Sequence, residues 1–560
     1  MSNPPPHSRY QAHLSRTPSP NKDPDAGLRG LGHYERRLPK WRFWLRQHLI
    51  PIVRWETPYL ANMQLNCRTP ALDTYFAFTA NLGTHTFFMT ALPICIWCGY
   101  PDAGIALVHM LAMGVYFSGF VKDLVCLPRP LSPPLHRITM SGSAALEYGF
   151  PSTHTTNAIS VALFCIERLH SSRHEYQTLS YILLIAGCYI YVISISLGRM
   201  YCGMHGFFDV LFGGILGAVI TWLRITYGPL YDLWILTGDW FRPLITVAIL
   251  AVAVRIYPEP ADNCPCFDDS VAFLGVVMGT EVGIWHYSSG NPYHASNPAS
   301  PLADVYPFTE FNLLKIAARI VIGVIVIFVW RALMKPLLLR GLPPIFRFVD
   351  QWGFRLPRRY FLQSRDYEIV PPLRKDDNII PPASEIPAMM SNLGHPRRRT
   401  VSIGPQSEAD AREFIANREA QKRRNSRSEA HQSIRRPLVH KQSLLTTRHT
   451  EADSRSYVAS SNQQDRSPFA DMVDSLPTQN RESFLQVAQS DPALLTPPPS
   501  DGGASSDGED AKHDKEMFCN LEKPRIRYDV EVITKLVVYA GIAWWALEGN
   551  PFLFETLGLI

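Results

Sequence analysis

Long apolar stretches, separated by short polar segments, fill most of the chain from residue 75 to about residue 340. Each is close to the length that an α-helix needs to cross a hydrocarbon core about 30 Å thick. Several are short or contain polar residues, so the pattern predicts eight to ten membrane-spanning helices. The predicted spans are about residues 75–99, 102–121, 154–168, 179–197, 206–224, 242–257, 270–286, 314–338 and 533–548. The predicted fold class is an all-α, polytopic membrane helix bundle.

Two regions have the opposite composition. Residues 1–40 and 366–525 are rich in Ser, Pro, Arg, Asp and Gln and poor in large apolar side chains, which predicts an N-terminal tail and an insertion that are both disordered. Residues 41–70 begin with WRFWLRQHLIPIVRW, which alternates aromatic residues with arginines and is predicted to lie on the membrane surface. The remaining regions are predicted as follows: a catalytic core over 71–225, further spans over 226–345, and a last span within 526–560.

The disordered insertion contains arginine-rich runs, RRRTVS and KRRNSRS, within residues 397–428. Arginine a few residues before serine or threonine matches the pattern of kinase targets, and a solvated linker is the favoured interpretation of the same residues.

The net charge and the cysteine content of the chain give little further indication of its function. The chain has 54 Lys and Arg against 49 Asp and Glu, so its formal net charge is only +5 and no nucleic-acid partner is predicted. Ten cysteines occur without metal-ligand spacing, and the pair in CPC, Cys264 and Cys266, is too close together for an ordinary zinc knuckle. No metal and no cofactor are predicted. Three acidic residues in the later spans could form a second polar site, although packing or loop roles are favoured: Asp268, Asp269 and Glu281.

The orientation of the spans poses a conflict. The positive-inside rule assigns Arg168, Arg173, the basic stretch over 331–365 and the basic N-terminal region to the cytosol. With nine simple spans these segments cannot all lie on one side.

Charged residues at membrane depth usually mark function, and they gather here in three places. The first is KDLVCLPRP, in which Lys122 and Arg129 are seven residues apart. Seven residues are about two helical turns, so both cations can project from one face at a helix end, with Pro128 and Pro130 ending the helix. Snorkelling at the membrane edge is the alternative.

The second place is YGFPSTHTTNAISVALF, in which Ser152, Thr153 or Thr155 can cap a helix that starts beside His154. Such a helix start can bind an anion, although a lone histidine there is more often structural. The third place is GRMYCGMHGFFDV. His205 and Asp209 are four residues apart there, so on a helix the carboxylate can orient the imidazole, and Arg199 lies just before them.

The combination is more informative than any single motif. Three permanent cations, two histidines, a hydroxyl-rich helix start and one carboxylate suit a phosphate monoester. The scarcity of other acidic residues argues against a two-metal phosphatase, so one histidine would attack phosphorus while the other protonates the leaving oxygen.

K-x6-RP at 122–130, PSTH at 151–154 and R-x5-H-x3-D at 199–209 together resemble the three signature motifs of the type 2 phosphatidic acid phosphatase and haloperoxidase superfamily. The flanking sequences, RPLSPPLHRITMSGSAALEYGFPSTH and RYDVEVITKLVVYAG, are similar to the sphingosine-1-phosphate phosphatase branch, known in fungi as long-chain base phosphate phosphatases.

The resemblance implies a role for each matched residue. His205 would be the nucleophile that forms a phosphohistidine, Asp209 would orient it, and His154 would be the general acid. Phosphate would be bound by the remaining matched positions: Lys122, Arg129, Ser152, Thr153 and Arg199. Thr153 stands where the superfamily more often has glycine, which matches the sphingolipid branch. Gly198 stands where serine is commoner.

The resemblance further implies an integral membrane enzyme of sphingolipid metabolism that hydrolyses long-chain base 1-phosphates without a metal. It implies residence in the endoplasmic reticulum with the catalytic loops in the lumen. Two alternatives stay open: the same chemistry on phosphatidate, a polyprenyl diphosphate or glucose 6-phosphate, and a non-catalytic multi-span protein that only binds an anion.

Overall fold

The computed structural model describes residues 25–82, 85–132, 134–139, 146–290, 302, 305, 306, 312–353, 358–370, 398–400 and 526–559. This part of the chain is almost entirely helical and confirms the predicted all-α class. Its helices are α1 (Leu31–Arg37), α2 (Lys40–Cys67), α3 (Pro70–Asn81), α4 (His85–Trp97), α5 (Pro101–Val125), α6 (Thr153–Ser171), α7 (Thr178–Tyr201), α8 (Phe207–Leu236), α9 (Phe241–Ile256), α10 (Cys266–Gly290), α11 (Leu313–Asp350), α12 (Val530–Trp544) and α13 (Asn550–Thr556).

Five segments of the described chain are long and apolar enough to cross a membrane: α5, α7, α8, α11 and the stretch Val530–Thr556. The last comprises α12, a π-helical turn over Trp545–Gly549, and α13. The first predicted span, 75–99, is divided between α3 and α4, each too short to cross alone.

The bundle interior combines large side chains with close helix contacts at glycine. A Cβ at Gly279 of α10 would lie 1.9 Å from the Ala540 carbonyl oxygen of α12, and one at Gly275 would lie 2.9 Å from that of Leu536. Small residues at such positions let two backbones approach, which is how apolar helices associate where lipid removes the hydrophobic driving force. The α10–α12 contact therefore depends on glycine at these two positions.

Two small sheets accompany the helices. Strand β1 (Arg137–Thr139) pairs antiparallel with β3 (Arg398–Thr400), and β2 (Phe361–Leu362) pairs parallel with β4 (Arg527–Tyr528). Of the predicted insertion over 366–525, the structure describes residues 366–370 and the short β3, and most of the arginine-rich runs lie outside the described residues. Tyr367 is buried, so the packed part of the chain extends into the start of this region.

All three predicted motifs lie at one end of the bundle, which we call the motif end. The backbone N–H of Ser152 donates to the Asp209 carbonyl over 3.0 Å, and the N–H of Gly149 donates to the Leu127 carbonyl over 2.9 Å. These bonds join the loop after α5, the start of α6 and the start of α8. Arg168 and Arg173 lie at the opposite end of the bundle, at and beyond the end of α6.

The orientation conflict is present in the structure as well. Arg358 follows α11, donates to the Tyr257 carbonyl over 3.1 Å, and stacks 3.3 Å from the centre of the Phe267 ring. Both partners lie beside the C-terminal end of α5, so this basic segment belongs to the motif end. The two sets of arginines that the positive-inside rule would place together are therefore on opposite ends.

Helix α2, predicted as a surface segment, presents Trp41, Trp44 and Trp55 outward and buries two arginines. Arg42 donates to the Leu124 carbonyl over 2.7 Å, and Arg46 donates to the Cys126 carbonyl over 3.0 Å. Arginines at these carbonyls satisfy acceptors that the end of α5 would otherwise leave unpaired. The arginines of WRFWLRQ therefore support the end of the helix that carries Lys122.

A buried carboxylate, Asp262, fixes the segment before α1. Its Oδ2 accepts hydrogen bonds from the Gly27 N–H, the Tyr34 hydroxyl and the Tyr148 hydroxyl over 2.9, 2.8 and 3.0 Å. His33 lies 3.2 Å from the other oxygen. The packed part of the chain therefore extends into the region predicted as a disordered tail, residues 1–40.

The three acidic residues considered for a second polar site lie in α10. Glu281 pairs with His109 of α5 over 2.7 Å, and Asp268 pairs with Arg527 and Lys535 over 3.1 and 2.9 Å. Glu281 and Asp268 thus bridge helices, in line with the favoured packing role.

Candidate active site

Lys122 and Arg129 reach the motif end from either side of a sharp helix stop. Lys122 is in the last turn of α5. The C-cap residue of this helix, Cys126, has a left-handed conformation with φ of 58°. Its N–H donates to the Lys122 carbonyl over 2.9 Å. This turn brings Arg129 back toward Lys122, and both cationic side chains are buried.

Arg129 uses every guanidinium nitrogen. Nη1 donates to the Met204 carbonyl over 2.9 Å and lies 3.2 Å from His205 Nε2. Nη2 donates to the Glu147 carboxylate over 2.9 Å, and Nε donates to the Glu147 carbonyl over 3.2 Å. A planar guanidinium with several donors can hold two groups in fixed relation, which a lysine ammonium cannot do. Arg129 therefore holds the predicted nucleophile next to Glu147 and the predicted anion site.

The start of α6 has the geometry expected of a capped helix. Ser152 is the N-cap residue, and its Oγ accepts from the Thr155 N–H over 3.4 Å and from the Thr155 hydroxyl over 3.0 Å. The Thr153 hydroxyl lies 2.8 Å from Ser118 Oγ, between α5 and α6. Ser152 thus stands at the helix mouth with its own hydroxyl proton available, whereas the Thr153 side chain joins two helices.

His154 is in the first turn of α6 and is half-buried. It lies close enough to His205 for its charge to lower the pKa of that imidazole. His154 on α6 and His205 in the loop before α8 therefore come from different segments, as an attacking group and a proton donor require.

The predicted pair of His205 and Asp209 is present and fully buried. His205 Nδ1 lies 3.5 Å from Asp209 Oδ2, which also accepts from the Gly206 N–H over 2.9 Å. Because Arg129 has only donors, His205 Nε2 must be the acceptor, and the ring proton is on Nδ1, facing Asp209. This tautomer presents the Nε2 lone pair to the cation cluster.

The surroundings of His205 keep it neutral. Burial, followed by the positive charges of Arg129, Arg199 and Lys122, lowers its pKa well below the ordinary value of 6.5. Only a neutral imidazole has a lone pair for attack on phosphorus. The same cations that would bind a phosphate therefore maintain the reactive form of the histidine.

Arg199 is in the last turn of α7 and is 8% exposed. Its carbonyl accepts the N–H groups of Met204 and His205 over 3.0 and 3.3 Å, which shapes the loop before α8. Its Nε forms no hydrogen bond with any described residue. A buried donor of this kind suits an incoming phosphate oxygen.

Two side chains outside the predicted motifs, both in α2, support the site. The Glu56 carboxylate of α2 accepts from the Phe208 N–H over 3.0 Å at the start of α8, and burial raises its pKa. Gln64 joins two loops: its amide donates to the carbonyls of His136 and Tyr201 over 3.0 and 2.6 Å and accepts from the His136 N–H over 2.8 Å. Neither residue belongs to a motif, so their only sequence signal is polar character within an aromatic-rich segment.

Glu147, a residue outside the three motifs, lies beside two of the cations. Its Oε2 lies 2.9 Å from Arg129 Nη2 and 3.7 Å from Lys122 Nζ. A carboxylate therefore accompanies the cations at the predicted anion site.

The CPC cysteines lie beside this region. Ligand atoms of Asp123, Cys264 and Cys266 are within 4.8 Å of one another, a group that could hold a metal ion. Two arginines approach it: Arg527 donates to the Cys264 carbonyl over 3.0 Å, and Arg42 donates to the Asp123 carbonyl over 2.5 Å. Because these positive charges oppose a divalent cation, we assign no metal here.

The fold and the site together define a polytopic helical membrane protein with a buried histidine at the centre of a cation cluster. Residues 103–230 match the PAP2 superfamily. A dihydrosphingosine 1-phosphate phosphatase of Schizosaccharomyces pombe is 39% identical over 331 residues, which cover 59% of this chain and 78% of that protein. The chain belongs to the PAP2 superfamily and to the family of which this relative is a member.

Two further relatives extend the comparison. A dihydrosphingosine 1-phosphate phosphatase of Saccharomyces cerevisiae is 37% identical, over 47% of this chain and 64% of that protein. Human sphingosine-1-phosphate phosphatase 2 is 28% identical, over 49% of this chain and 68% of that protein. No solved structure matches this chain.

Proposed function

We propose that this protein is a membrane phosphatase that hydrolyses long-chain base 1-phosphates to the free base and inorganic phosphate. Dihydrosphingosine, phytosphingosine and sphingosine 1-phosphate are the substrates in this class. One observation carries the proposal: His205 Nε2 faces Arg129 while Asp209 lies behind the ring, so a histidine lone pair enters a cation cluster. The names of the relatives support the choice of substrate.

The reaction follows from this arrangement. Lys122, Arg129 and Arg199 hold the phosphate oxygens, and Ser152 donates its hydroxyl proton at the helix mouth. His205 Nε2 attacks phosphorus, the bond from phosphorus to the ester oxygen breaks, and His154 gives that oxygen a proton. Water then attacks the phosphohistidine, His154 takes the water proton, and phosphate and His205 are released. Asp209 holds the Nδ1 proton throughout, and no metal is required.

The decisive test is phosphate release from dihydrosphingosine 1-phosphate by membranes that contain the full chain, in excess EDTA. We expect release at the same rate with and without EDTA, because arginine and lysine, rather than a metal, neutralise the phosphate. Membranes with His205→Ala provide the background. Loss of release in EDTA would contradict the mechanism.

A panel of other phosphates, measured in the same membranes, addresses the alternatives. Release from phosphatidate or a polyprenyl diphosphate, without release from the long-chain base phosphate, would retain the mechanism and discard the substrate. Absence of release from every substrate, with phosphate binding intact, would indicate a non-catalytic anion-binding protein.

We further propose that the protein resides in the membrane of the endoplasmic reticulum with the motif end in the lumen. Arg168 and Arg173, at the opposite end, support this orientation by the positive-inside rule. Arg358 and the N-terminal segment, at the motif end, favour the reverse.

Glycosylation decides between the two orientations. Gly30 is exposed and precedes α1, so Gly30→Asn with Gly32→Ser creates an acceptor site at the motif end, with asparagine in a favourable N-cap position. We expect a glycosidase-sensitive increase in mass for this variant and none for a variant with the same acceptor site appended after Ile560. The reverse result would place the motif end in the cytosol.

A further inference from the structure

We propose that Glu147 forms an ammonium subsite next to the phosphate-binding cations and thereby selects amino-alcohol phosphates. This inference rests on the proposed function and adds to it a residue that recognises the second charged group of the substrate. In a long-chain base 1-phosphate, the amino group is on the carbon next to the one that carries the phosphate ester. An acceptor for that group must therefore lie beside the phosphate site.

Glu147 lies in that position. Among the described residues, it is the one acidic residue that forms an ion pair with Lys122 or Arg129, and a single oxygen, Oε2, faces both cations. The Glu147 side chain is 27% exposed, whereas those of Lys122 and Arg129 are 5% and 4% exposed. The carboxylate is thus the most exposed of these three side chains.

A carboxylate at this position is a disadvantage for binding phosphate alone. Like charges repel strongly where water is scarce, so a dianion that reaches Lys122 and Arg129 is opposed by Glu147. Substrate binding also weakens the pairing of Lys122 and Arg129 with Glu147, which is unfavourable at a partly buried site. The ammonium group of the substrate brings a positive charge to the carboxylate and offsets both effects. A phosphate without an amine leaves both unfavourable effects in place.

This charge arrangement gives specificity by disfavouring the wrong ligand as well as by attracting the right one. Phosphatidate has the phosphate ester and lacks the adjacent amine. The cations and histidines serve any phosphate monoester, so they cannot make this distinction. Glu147 can distinguish the two substrates, because its carboxylate is stabilised by the ammonium group next to the phosphate ester and by nothing at that position in phosphatidate.

A purely structural role for Glu147 makes a different prediction. The Glu147 carbonyl accepts from Arg129 Nε over 3.2 Å, and that contact belongs to the backbone. If the side chain only positioned Arg129, removing its charge would slow every substrate by the same factor. The ratio between two substrates that differ only in the amine separates the two roles.

The test compares dihydrosphingosine 1-phosphate with octadecane-1,3-diol 1-phosphate, which keeps the chain length and the 3-hydroxyl and lacks only the amine. Initial rates give kcat/KM for the wild type, Glu147→Gln and the control Glu259→Gln. The control removes a carboxylate charge at the motif end that accepts a hydrogen bond from the Arg359 N–H. We expect the wild type to prefer the amine substrate roughly 10-fold to 100-fold, the range of a charge-assisted hydrogen bond.

In Glu147→Gln we expect this preference to fall to near unity, with a lower rate for the amine substrate and an unchanged or higher rate for octadecane-1,3-diol 1-phosphate. Glu147→Asp should restore part of the preference, and Glu259→Gln should retain all of it. An equal loss on both substrates, or an unchanged ratio, would overturn the subsite. If the wild type releases phosphate from neither substrate but does so from phosphatidate, the proposed function itself fails, and that result is distinct from a change in the variant.

Discussion

His205→Ala is expected to reduce phosphate release by at least about 10³-fold while leaving phosphate binding nearly intact. The imidazole is the predicted nucleophile, and its Nε2 lies 3.2 Å from Arg129 Nη1 at the cation cluster. The binding cations Lys122, Arg129 and Arg199 come from α5, the loop after it, and α7, and do not need the imidazole to keep their positions. Steady-state release, together with binding of inorganic phosphate measured by competition, checks both parts.

The covalent intermediate gives this prediction a direct observable. Brief reaction with ³²P-labelled substrate, followed by quenching in alkali, should label the wild-type chain, because a phosphorus–nitrogen bond is stable in base and labile in acid. His205→Ala should remain unlabelled, and Ser132→Ala is the matched control, since Ser132 is buried at the motif end and donates to the Leu135 carbonyl. Alkali-stable label in His205→Ala would assign the nucleophile to another residue.

His154→Gln is expected to slow turnover by about 10² to 10⁴-fold on a long-chain base phosphate, the range typical of a lost general acid. The effect should depend on the leaving group. An alkoxide from a sphingoid base needs a proton to depart, whereas p-nitrophenolate leaves without one. On p-nitrophenyl phosphate the first step should therefore be almost as fast in His154→Gln as in the wild type.

A pre-steady-state burst of p-nitrophenol, measured with substrate in excess over enzyme, isolates that first step. The later hydrolysis of the phosphohistidine still needs His154 as a base, so the variant should accumulate labelled protein. Thr155→Val is the control for disturbance of the start of α6. It removes the hydrogen bond from the Thr155 hydroxyl to the N-cap residue Ser152, and a threonine hydroxyl cannot act as the general acid. Equal losses on both substrates would show that His154 supports the structure rather than the leaving oxygen.

The sequence predicted the helical class and the meeting of the motifs at one end, because apolar length and charge at helix ends have direct physical meaning. Asp209 was expected to face His205 because the two are four residues apart on one helix. Its carboxylate does lie 3.5 Å from His205 Nδ1, but His205 is in the loop before α8, so the contact arises from the loop and the helix start rather than from helical spacing. Glu56, Gln64 and Arg42 illustrate the limit. They act from α2 on distant loops, and contacts between residues separated by 60 or more positions have no local pattern. The family match, which begins at residue 103, also leaves them out.

Glu147 was missed for a different reason. The three motifs predicted a phosphate site partly because few acidic residues lie near them. A single glutamate in the loop before PSTH therefore gave no sign of a role in that site. Its position beside the cations becomes apparent only from its distances to Lys122 and Arg129 in the structure. Residues that discriminate between substrates are generally harder to predict than residues that perform the chemistry, because the chemistry repeats across a superfamily and the discrimination does not.

The hydrogen bonds to Asp262 have a practical consequence for anyone who shortens this chain for expression. Gly27 and Tyr34 bind the same carboxylate oxygen as Tyr148, the residue directly after Glu147. A shortened version that starts at residue 41 would retain every motif and the whole family match, yet it would remove two of the three donors from that oxygen and loosen the loop that carries Glu147. Its low activity would then be mistaken for a catalytic defect, whereas a version that starts before residue 25 keeps the anchor.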